Sequence, residues 1–425
     1  MFAKLKAIFK KIGPGFITGA SDDDPSGIAT YSQTGAMFGY AQLWLAPFCY
    51  PFMVAIQEMC GRIGMVTGKG LSGVLREHYP KWTVYIATSL LVIANTVNIG
   101  ADLGAMAASA QMIVGLPYVF WLIFMTVIIL VLEIFVGYKV YAKILMYLTF
   151  TLLAYFFTAF IVKQDWGLIL KDTFIPQIKF SKDYVFNVVA FLGTTITPYL
   201  FFWQADQEIE EQIVEHKIIA IGAGIARVSS CDIRNMGFDT MFGMLFSQLM
   251  AFMIVITTAA TLFAHGITNI NSAPEAALAL KPLAGNFAYL LFATGIIGTG
   301  LLAVPVLSGS AGYAVSEALG WRSGLGEKIK DVHGFYGVII ISTLIGLFIN
   351  FIGINPIKAL YYAAAINGLL APPLMIIILL IGNNKKIMGK YVNKWLSKTL
   401  VWIITGVMGI CGLFLIYTMI SGRFQ

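Results

Sequence analysis

The stretch GASDDDPSGIAT, residues 19–30, interrupts an otherwise apolar segment. The residues on either side, GPGFITGA and IATYSQTGAMFGY, are typical of a membrane helix. Pro25 lacks a backbone N–H and Gly27 tolerates backbone angles that other residues avoid, so a helix would end and restart here. Backbone polar groups freed at membrane depth are tolerated only where they line a cavity or are buried in protein. We therefore predict a broken membrane helix whose break carries the function.

The composition indicates a membrane protein with many spans. Of 425 residues, 58% are hydrophobic and 12% are charged, whereas a soluble domain carries about 25% charged residues. Many apolar runs are long enough to cross about 30 Å of hydrocarbon, and no polar block remains for a separate soluble domain. The net charge of +7 does not indicate nucleic-acid binding, because in a membrane protein the positions of the basic residues report orientation first. The four cysteines share no metal-site spacing and predict no resident cofactor.

Eleven apolar ranges predict an all-α, polytopic chain with a single transmembrane domain over residues 1–425. The predicted spans are 14–38, 41–65, 83–114, 117–137, 143–163, 184–206, 237–264, 276–317, 334–352, 356–381 and 399–420. Lysine and arginine fall in alternate loops, which predicts a cytoplasmic N-terminus with a retained basic lead-in. An odd number of spans then places the C-terminus outside. The segment 164–183 contains both acidic and basic residues, and we predict a loop there.

The sixth span is also interrupted, by GTTITP at residues 193–198. Spans one and six are equivalent positions if five helices repeat with inverted topology, here about 1–165 and 184–382, followed by an extra helix at 399–420. Interrupted spans at equivalent positions of two repeats are the best sequence indication of a transporter's central site.

The two breaks offer hard oxygen ligands. Asp24, with Asp22 and Asp23 beside it, supplies carboxylates. At the second break, hydroxyls next to freed carbonyls come from Thr194, Thr195 and Thr197. Neither break contains Cys, Met or His, the ligands that transition metals favour, so the pattern favours Mg²⁺. Two alternatives remain: the aspartates cap the following half-helix, and the threonines bond back to the preceding turn.

Polar residues in other spans extend the predicted ion path. Asn95, Asn98 and Asp102 lie on one face of the third span, at i, i+3 and i+7. They either bind ions or hydrogen-bond a neighbouring helix, and we favour an ion role for Asp102. Asn367 in the tenth span and Tyr199 after the second break are further candidates.

The stretch GPGFITGASDDDPSGIATYSQTGAMFGYAQLWL resembles the first helix of the Nramp divalent-metal transporters, which carry an Asp-Pro-Gly-Asn motif after a Gly-Pro-Gly-Phe start. GTTITPYLFFWQ is similar to the family's sixth-helix stretch, Ala-Thr-Val-Met-Pro-His followed by a second His. The resemblance covers most of the chain and implies the LeuT-type fold of two inverted five-helix repeats. It places the family's binding-site Asp on Asp24.

The departures from the family pattern concern the ion site and the proton path. The resemblance places the family's Asn on Gly27, its carbonyl-donating Ala on Thr194 and its sulphur ligand on Thr197. The two histidines fall on Tyr199 and Gln204. In the third span the family's Asp falls on Asp102, the following Glu falls on Ala105, and the ninth span lacks the family's arginines. These losses resemble the Nramp-related magnesium transporters, and they imply a partly hydrated Mg²⁺, or Mn²⁺, carried with little or no proton coupling.

Three other functions fit the sequence less well. No nucleophile and base pattern indicates an enzyme. A Na⁺-coupled amino-acid transporter would need an anionic substrate beside Asp22, Asp23 and Asp24, which would repel it. A proton-coupled Mn²⁺/Fe²⁺ transporter is the main alternative. We expect a monomer in the plasma membrane whose partners are the ion and the lipid bilayer.

Overall fold

A computed structural model describes residues 13–136, 150–179, 181–222 and 228–421 of the chain. Regular structure in these ranges is dominated by α-helices. In chain order they are α1 Pro14–Asp22, α2 Pro25–Phe38, α3 Leu45–Thr67, α4 Leu71–His78, α5 Lys81–Val114, α6 Tyr118–Phe135, α7 Leu153–Ile161, α8 Trp166–Phe174, α9 Lys182–Thr195, α10 Pro198–Val214, α11 Ser230–Thr261, α12 Ala273–Ala277, α13 Lys281–Ala284, α14 Ala288–Leu319, α15 His333–Ile349, α16 Pro356–Asn383, α17 Lys385–Met388 and α18 Trp395–Ser421. Short 3₁₀ turns lie at Phe150–Leu152, Phe263–His265, Leu278–Leu280, Gly285–Phe287, Asn350–Ile352 and Gly389–Tyr391.

The all-helical class predicted from the sequence is confirmed, and each of the eleven predicted ranges overlaps a helix. By length and apolar composition, 8 helical segments of the described chain can cross a membrane, or 9 if the bent pair Phe150–Ile161 and Trp166–Phe174 is one span. The broken first helix is outside that count, because its halves have 9 and 14 residues. Eleven crossings therefore stay a prediction.

Several predicted boundaries were wrong. The range 276–317 is not one helix: the continuous part begins at Ala288, after a turn in which Gly285 adopts φ +52°. The segment 164–183, read as a loop, contains α8, which bends by 117° from α7. The part of the fifth span at 143–149 lies outside the described residues. The third span is continuous through its glycines and begins at Lys81.

Both predicted helix breaks are present. The first break separates α1 from α2 at Asp23 and Asp24, and the second separates α9 from α10 at Ile196 and Thr197. In both cases a proline opens the second half-helix at its first position, where its missing N–H costs nothing and its fixed φ suits a helix. The second break is narrower than the predicted 193–198.

α1 lies against α11 along its whole length. The Asp239 carboxylate of α11 accepts the N–H groups of Gly13 and Phe16 at 3.1 and 3.2 Å, which caps an N-terminus that has no side-chain cap of its own. Gly19 then meets the backbone of Gly243, so a side chain there would collide with main-chain atoms. This close approach holds α1 directly against α11.

We expect Gly19→Ala to lower the stability of the folded protein by about 1–3 kcal/mol, because the added methyl group must push two backbones apart. Gly406→Ala in α18 is the matched control, since its new methyl group would meet nothing within 4 Å; there the change should be neutral or stabilising by up to about 1 kcal/mol. Thermal unfolding of the purified proteins measures both effects. Equal melting temperatures for the two variants would contradict this packing.

Candidate functional site

Asp24 lies at the centre of the first break, 2% exposed. Its Oδ1 accepts the Gly27 N–H at 2.7 Å and the Ser26 hydroxyl at 2.7 Å, and its Oδ2 accepts the Asn98 amide at 2.9 Å. Asp24 is thus the N-cap of α2, which was the alternative interpretation of the aspartates. Capping uses only one of its oxygens, and the other turns towards α5.

The second break lies beside the first. Ser26 Oγ is 3.3 Å from Thr194 Oγ1, and the Tyr31 hydroxyl is 3.4 Å from Thr195 Oγ1. Tyr199, in the first turn of α10, donates to the Ser21 carbonyl at 3.0 Å. Polar groups at one break therefore find some of their hydrogen-bond partners at the other break.

The hydroxyl groups of the second break have different surroundings. Thr195 bonds back to the Phe191 carbonyl at 2.7 Å, as the alternative reading of the threonines expected. Thr194 instead faces Ser26 across the breaks. Thr197 is the N-cap residue of α10, is 1% exposed, and its hydroxyl has no hydrogen-bond partner in the described part of the chain.

Asp22 and Asp23 are buried carboxyl groups that share one donor. The Ser247 hydroxyl of α11 contacts Asp22 Oδ2 at 2.6 Å and Asp23 Oδ1 at 3.2 Å. A serine hydroxyl has a single proton, so it cannot fully satisfy both groups. Among the described residues, Asp22 Oδ1 and Asp23 Oδ2 have no partner.

The polar residues on one face of α5 have two roles: some join α5 to α14, and others lie at the first break. Asn95 donates to the Leu307 carbonyl at 2.8 Å and to Ser310 at 2.7 Å, so it joins α5 to α14. Asn98 instead binds Asp24, as described above. Asp102, one turn further along α5, is fully buried, lies close enough to Asp24 for their charges to interact, and has no hydrogen-bond partner within the described ranges.

The remaining predicted positions differ in how closely they approach the breaks. A Cβ at Gly27 would lie 3.3 Å from the Asp22 carbonyl oxygen and 3.5 Å from Asp24 Oδ1, so position 27 faces the first break. Asn367 is buried in α16. Tyr199 is close enough to Asp24, Asp22 and Asp102 to interact with their charges.

Three groups at the site were missed by sequence reasoning: the Ser26 hydroxyl, the Ser21 carbonyl and the Ser247 hydroxyl. Ser26 stands inside the quoted stretch and could have been named as a partner of Asp24. Ser247 sits in an apolar helix with no local signal, and only its position eight residues after Asp239 on α11 relates it to α1. In the described residues, no three or more His, Cys, Asp or Glu side chains are grouped as a metal cage.

The family comparison covers almost the whole chain. The description "Natural resistance-associated macrophage protein-like", abbreviated Nramp, matches residues 15–418. The chain belongs to the Nramp family. Two Nramp relatives named divalent metal cation transporter MntH, from Caldanaerobacter subterraneus and Clostridium acetobutylicum, are each 24% identical to it. The alignments cover 99% of this chain and 96% and 93% of those relatives.

Solved structures agree on the fold. A manganese transporter from Eremococcus coleocola, in complex with an aromatic bis-isothiourea substituted compound, matches with a TM-score of 0.80 at 14% identity, over 100% of this chain and 89% of that one. Mhp1, a nucleobase-cation-symport-1 family transporter in a closed conformation, matches with a TM-score of 0.62 at 13% identity, over 95% and 90% of the two chains. The Nramp chain described here therefore has the LeuT-type fold that the sequence resemblance implied.

We expect Ser247→Ala to lower stability by about 1–3 kcal/mol, because two buried carboxyl groups lose the donor that they share. Ser342→Ala is the matched control. Within the described ranges this buried serine of α15 makes one side-chain hydrogen bond, to the Ile339 carbonyl of its own turn, and such a bond adds little. Thermal unfolding in metal-free buffer compares the two variants. A Ser247→Ala protein as stable as Ser342→Ala would contradict the described contact.

Proposed function

We propose that this chain carries divalent cations, chiefly Mg²⁺ and also Mn²⁺, across the plasma membrane by alternating access, with little or no proton coupling. The observation that carries the proposal is the position of Asp24: a buried carboxylate where two helix breaks face each other, surrounded by hydroxyl, carbonyl and amide groups. Broken helices that meet in this way form the ion and substrate sites of LeuT-type transporters.

The donor set supports a hard cation. Asp24, Thr194 and Thr197 bring oxygen atoms, and none of the groups that hydrogen-bond Asp24 is sulphur or imidazole. Mg²⁺ prefers oxygen ligands, keeps several waters when bound, and gains almost nothing from a thioether. All three donors to Asp24 are neutral, so an arriving cation can replace them without separating an ion pair.

The proposal of weak proton coupling rests on what stands at the family's proton-path positions. Tyr199 donates to a backbone carbonyl. Gln204 donates to Glu208 at 2.9 Å, and Ala105 has no titratable group. None of the three side chains exchanges a proton near neutral pH.

Proton-coupled Mn²⁺ transport is the second candidate, and a specific observation favours it. Asp102 is a fully buried carboxyl group near Asp24 with no hydrogen-bond partner in the described part of the chain. Such a group inside a membrane protein is a common proton carrier. The names of the relatives, which refer to divalent metal and to manganese, agree with either candidate.

Ion uptake into proteoliposomes with a pH dye inside decides between the two candidates. We expect Mg²⁺ uptake down its gradient with no matching acidification. We expect loss of uptake in Asp24→Ala, because this change removes the carboxylate that lies between the first break and α5. Asp331→Asn, an exposed carboxylate between α14 and α15, is the control and should transport as the wild type does.

Acidification in a fixed ratio to the ions moved would overturn the uncoupled mechanism and favour the second candidate. Uptake by Asp24→Ala at the wild-type rate would overturn the site itself. Mn²⁺ uptake without any Mg²⁺ uptake would overturn the proposed ion preference.

We expect Thr197→Met combined with Gly27→Asn to shift preference from Mg²⁺ towards Mn²⁺ or Cd²⁺. The thioether adds a soft ligand, and the asparagine adds an amide beside the Asp22 carbonyl and narrows the cage. A tenfold change requires only about 1.4 kcal/mol of differential binding. Competition of Cd²⁺ against Mg²⁺ uptake measures the shift.

Thr294→Met is the control for the added methionine, because Thr294 lies on α14 with its hydroxyl bonded to its own preceding turn. That variant should leave the ratio of the two inhibition constants unchanged. An unchanged ratio in the double variant as well would show that positions 27 and 197 do not line the ion site.

A further inference from the structure

A second group of buried carboxylates lies away from the helix breaks. It consists of Asp206 and Glu210, one turn apart on α10, and Glu317 near the end of α14. All three are less than a tenth exposed. They lie on the side of the molecule that we expect to face the cytoplasm. The transport site proposed above uses none of them.

Both carboxyl oxygens of Glu317 accept hydrogen bonds from backbone N–H groups at the start of α4. Its Oε1 accepts the Gly70 N–H at 2.6 Å and its Oε2 accepts the Gly73 N–H at 2.9 Å. Two backbone donors at a helix N-terminus stabilise a charged carboxylate. This contact joins α14 to the turn between α3 and α4.

Asp206 also lies beside Gly70, but no described residue donates a hydrogen bond to it. A side chain at Gly70 would collide with Asp206 Oδ1 and Glu317 Oε2 at once, so these two oxygens converge on one spot. Asp206 is 0% exposed, and neither of its oxygens has a hydrogen-bond partner among the described residues. A buried charge without a partner is costly, and a second carboxylate beside it raises that cost.

Glu210, the third carboxyl group, does not stabilise Asp206. Its Oε1 accepts the Tyr313 hydroxyl at 2.8 Å and the Leu325 N–H at 3.1 Å, so it ties α10 to α14 and to the turn that follows α14. Its charge adds to the negative potential at Asp206. Neither Asp206 nor Glu317 forms an ion pair with a lysine or arginine in the described part of the chain. A cation bound between them would compensate the two carboxyl groups.

A cavity of about 700 Å³ borders Glu317 and offers a route for ions. Its charged lining is balanced, with Lys69, Arg76, Glu77, Glu317, Arg322 and Glu327. Lys69, the base close enough to Glu317 to interact with it, also forms an ion pair with Glu77. A cation is therefore not repelled from the cavity by an excess of positive charge.

We propose that Asp206 and Glu317 form a second divalent-cation site, separate from the helix breaks and loaded through this cavity. Two carboxylates and retained water are the usual surroundings of Mg²⁺ in proteins. An ion there bridges α10 and α14 against the start of α4, and so favours the conformation in which these three elements are together. The site does not depend on which ion the helix breaks carry.

The test counts bound Mn²⁺ by electron paramagnetic resonance on the purified full chain. We expect two ions per chain in the wild type, one in Asp24→Ala and none in Asp24→Ala/Asp206→Asn. Asp24→Ala/Asp331→Asn is the matched control and should still bind one. In metal-free buffer, Asp206→Asn alone should melt at or above the wild-type temperature, because it replaces a buried carboxyl group that has no partner among the described residues with a neutral side chain of the same size.

Equal binding by Asp24→Ala and Asp24→Ala/Asp206→Asn would overturn the second site, as would an Asp24→Ala protein that binds no ion. A lower melting temperature for Asp206→Asn in metal-free buffer would also count against it. A different result would show that the proposed transport site is wrong. In that case Asp24→Ala would bind as many ions as the wild type, whatever the effect of Asp206→Asn.

Discussion

The structure depends on one constraint: backbone groups freed where a membrane helix stops must find partners inside the protein. Two helices stop here, and each supplies partners for the other. The Tyr199 hydroxyl of the second broken helix donates a hydrogen bond to the Ser21 carbonyl of the first, and the Ser26 hydroxyl lies next to that of Thr194. Neither break would be stable alone in hydrocarbon. Their pairing brings the Asp24 carboxylate to a position shared by both helices and by α5, where a cation can replace neutral donors.

The first half-helix owes its position to α11 more than to its own sequence. Asp239, Gly243 and Ser247 follow one face of α11 at intervals of four residues, and they meet the start, the middle and the end of α1. A movement that opens a path beside α1 must therefore either break all three contacts or carry α11 along. The contact between Glu317 and α4 likewise restricts movement of α14 relative to α4, because the carboxyl group accepts two backbone N–H groups.

The sequence predicted what local chemistry determines. Proline and glycine in an apolar span predicted both breaks, and the positions of Asp24 and Thr194 beside them followed. What it could not predict depends on packing between distant segments. Asn95 and Asn98 look alike in the sequence, yet the first bonds α14 and the second bonds Asp24, because the neighbour at each turn of α5 differs. Ser247 and the convergence of Asp206 with Glu317 at Gly70 likewise have no local signal.

Anomalous diffraction from crystals soaked in Mn²⁺ tests the central claim most directly, because it locates the ion without assuming its ligands. The account predicts a peak between the two breaks, in contact with Asp24 directly or through one water, and close to Thr194 and Thr197. The peak should vanish in crystals of Asp24→Asn grown and soaked in the same way. A fully occupied Mn²⁺ peak elsewhere in the molecule with none at the breaks would contradict the account.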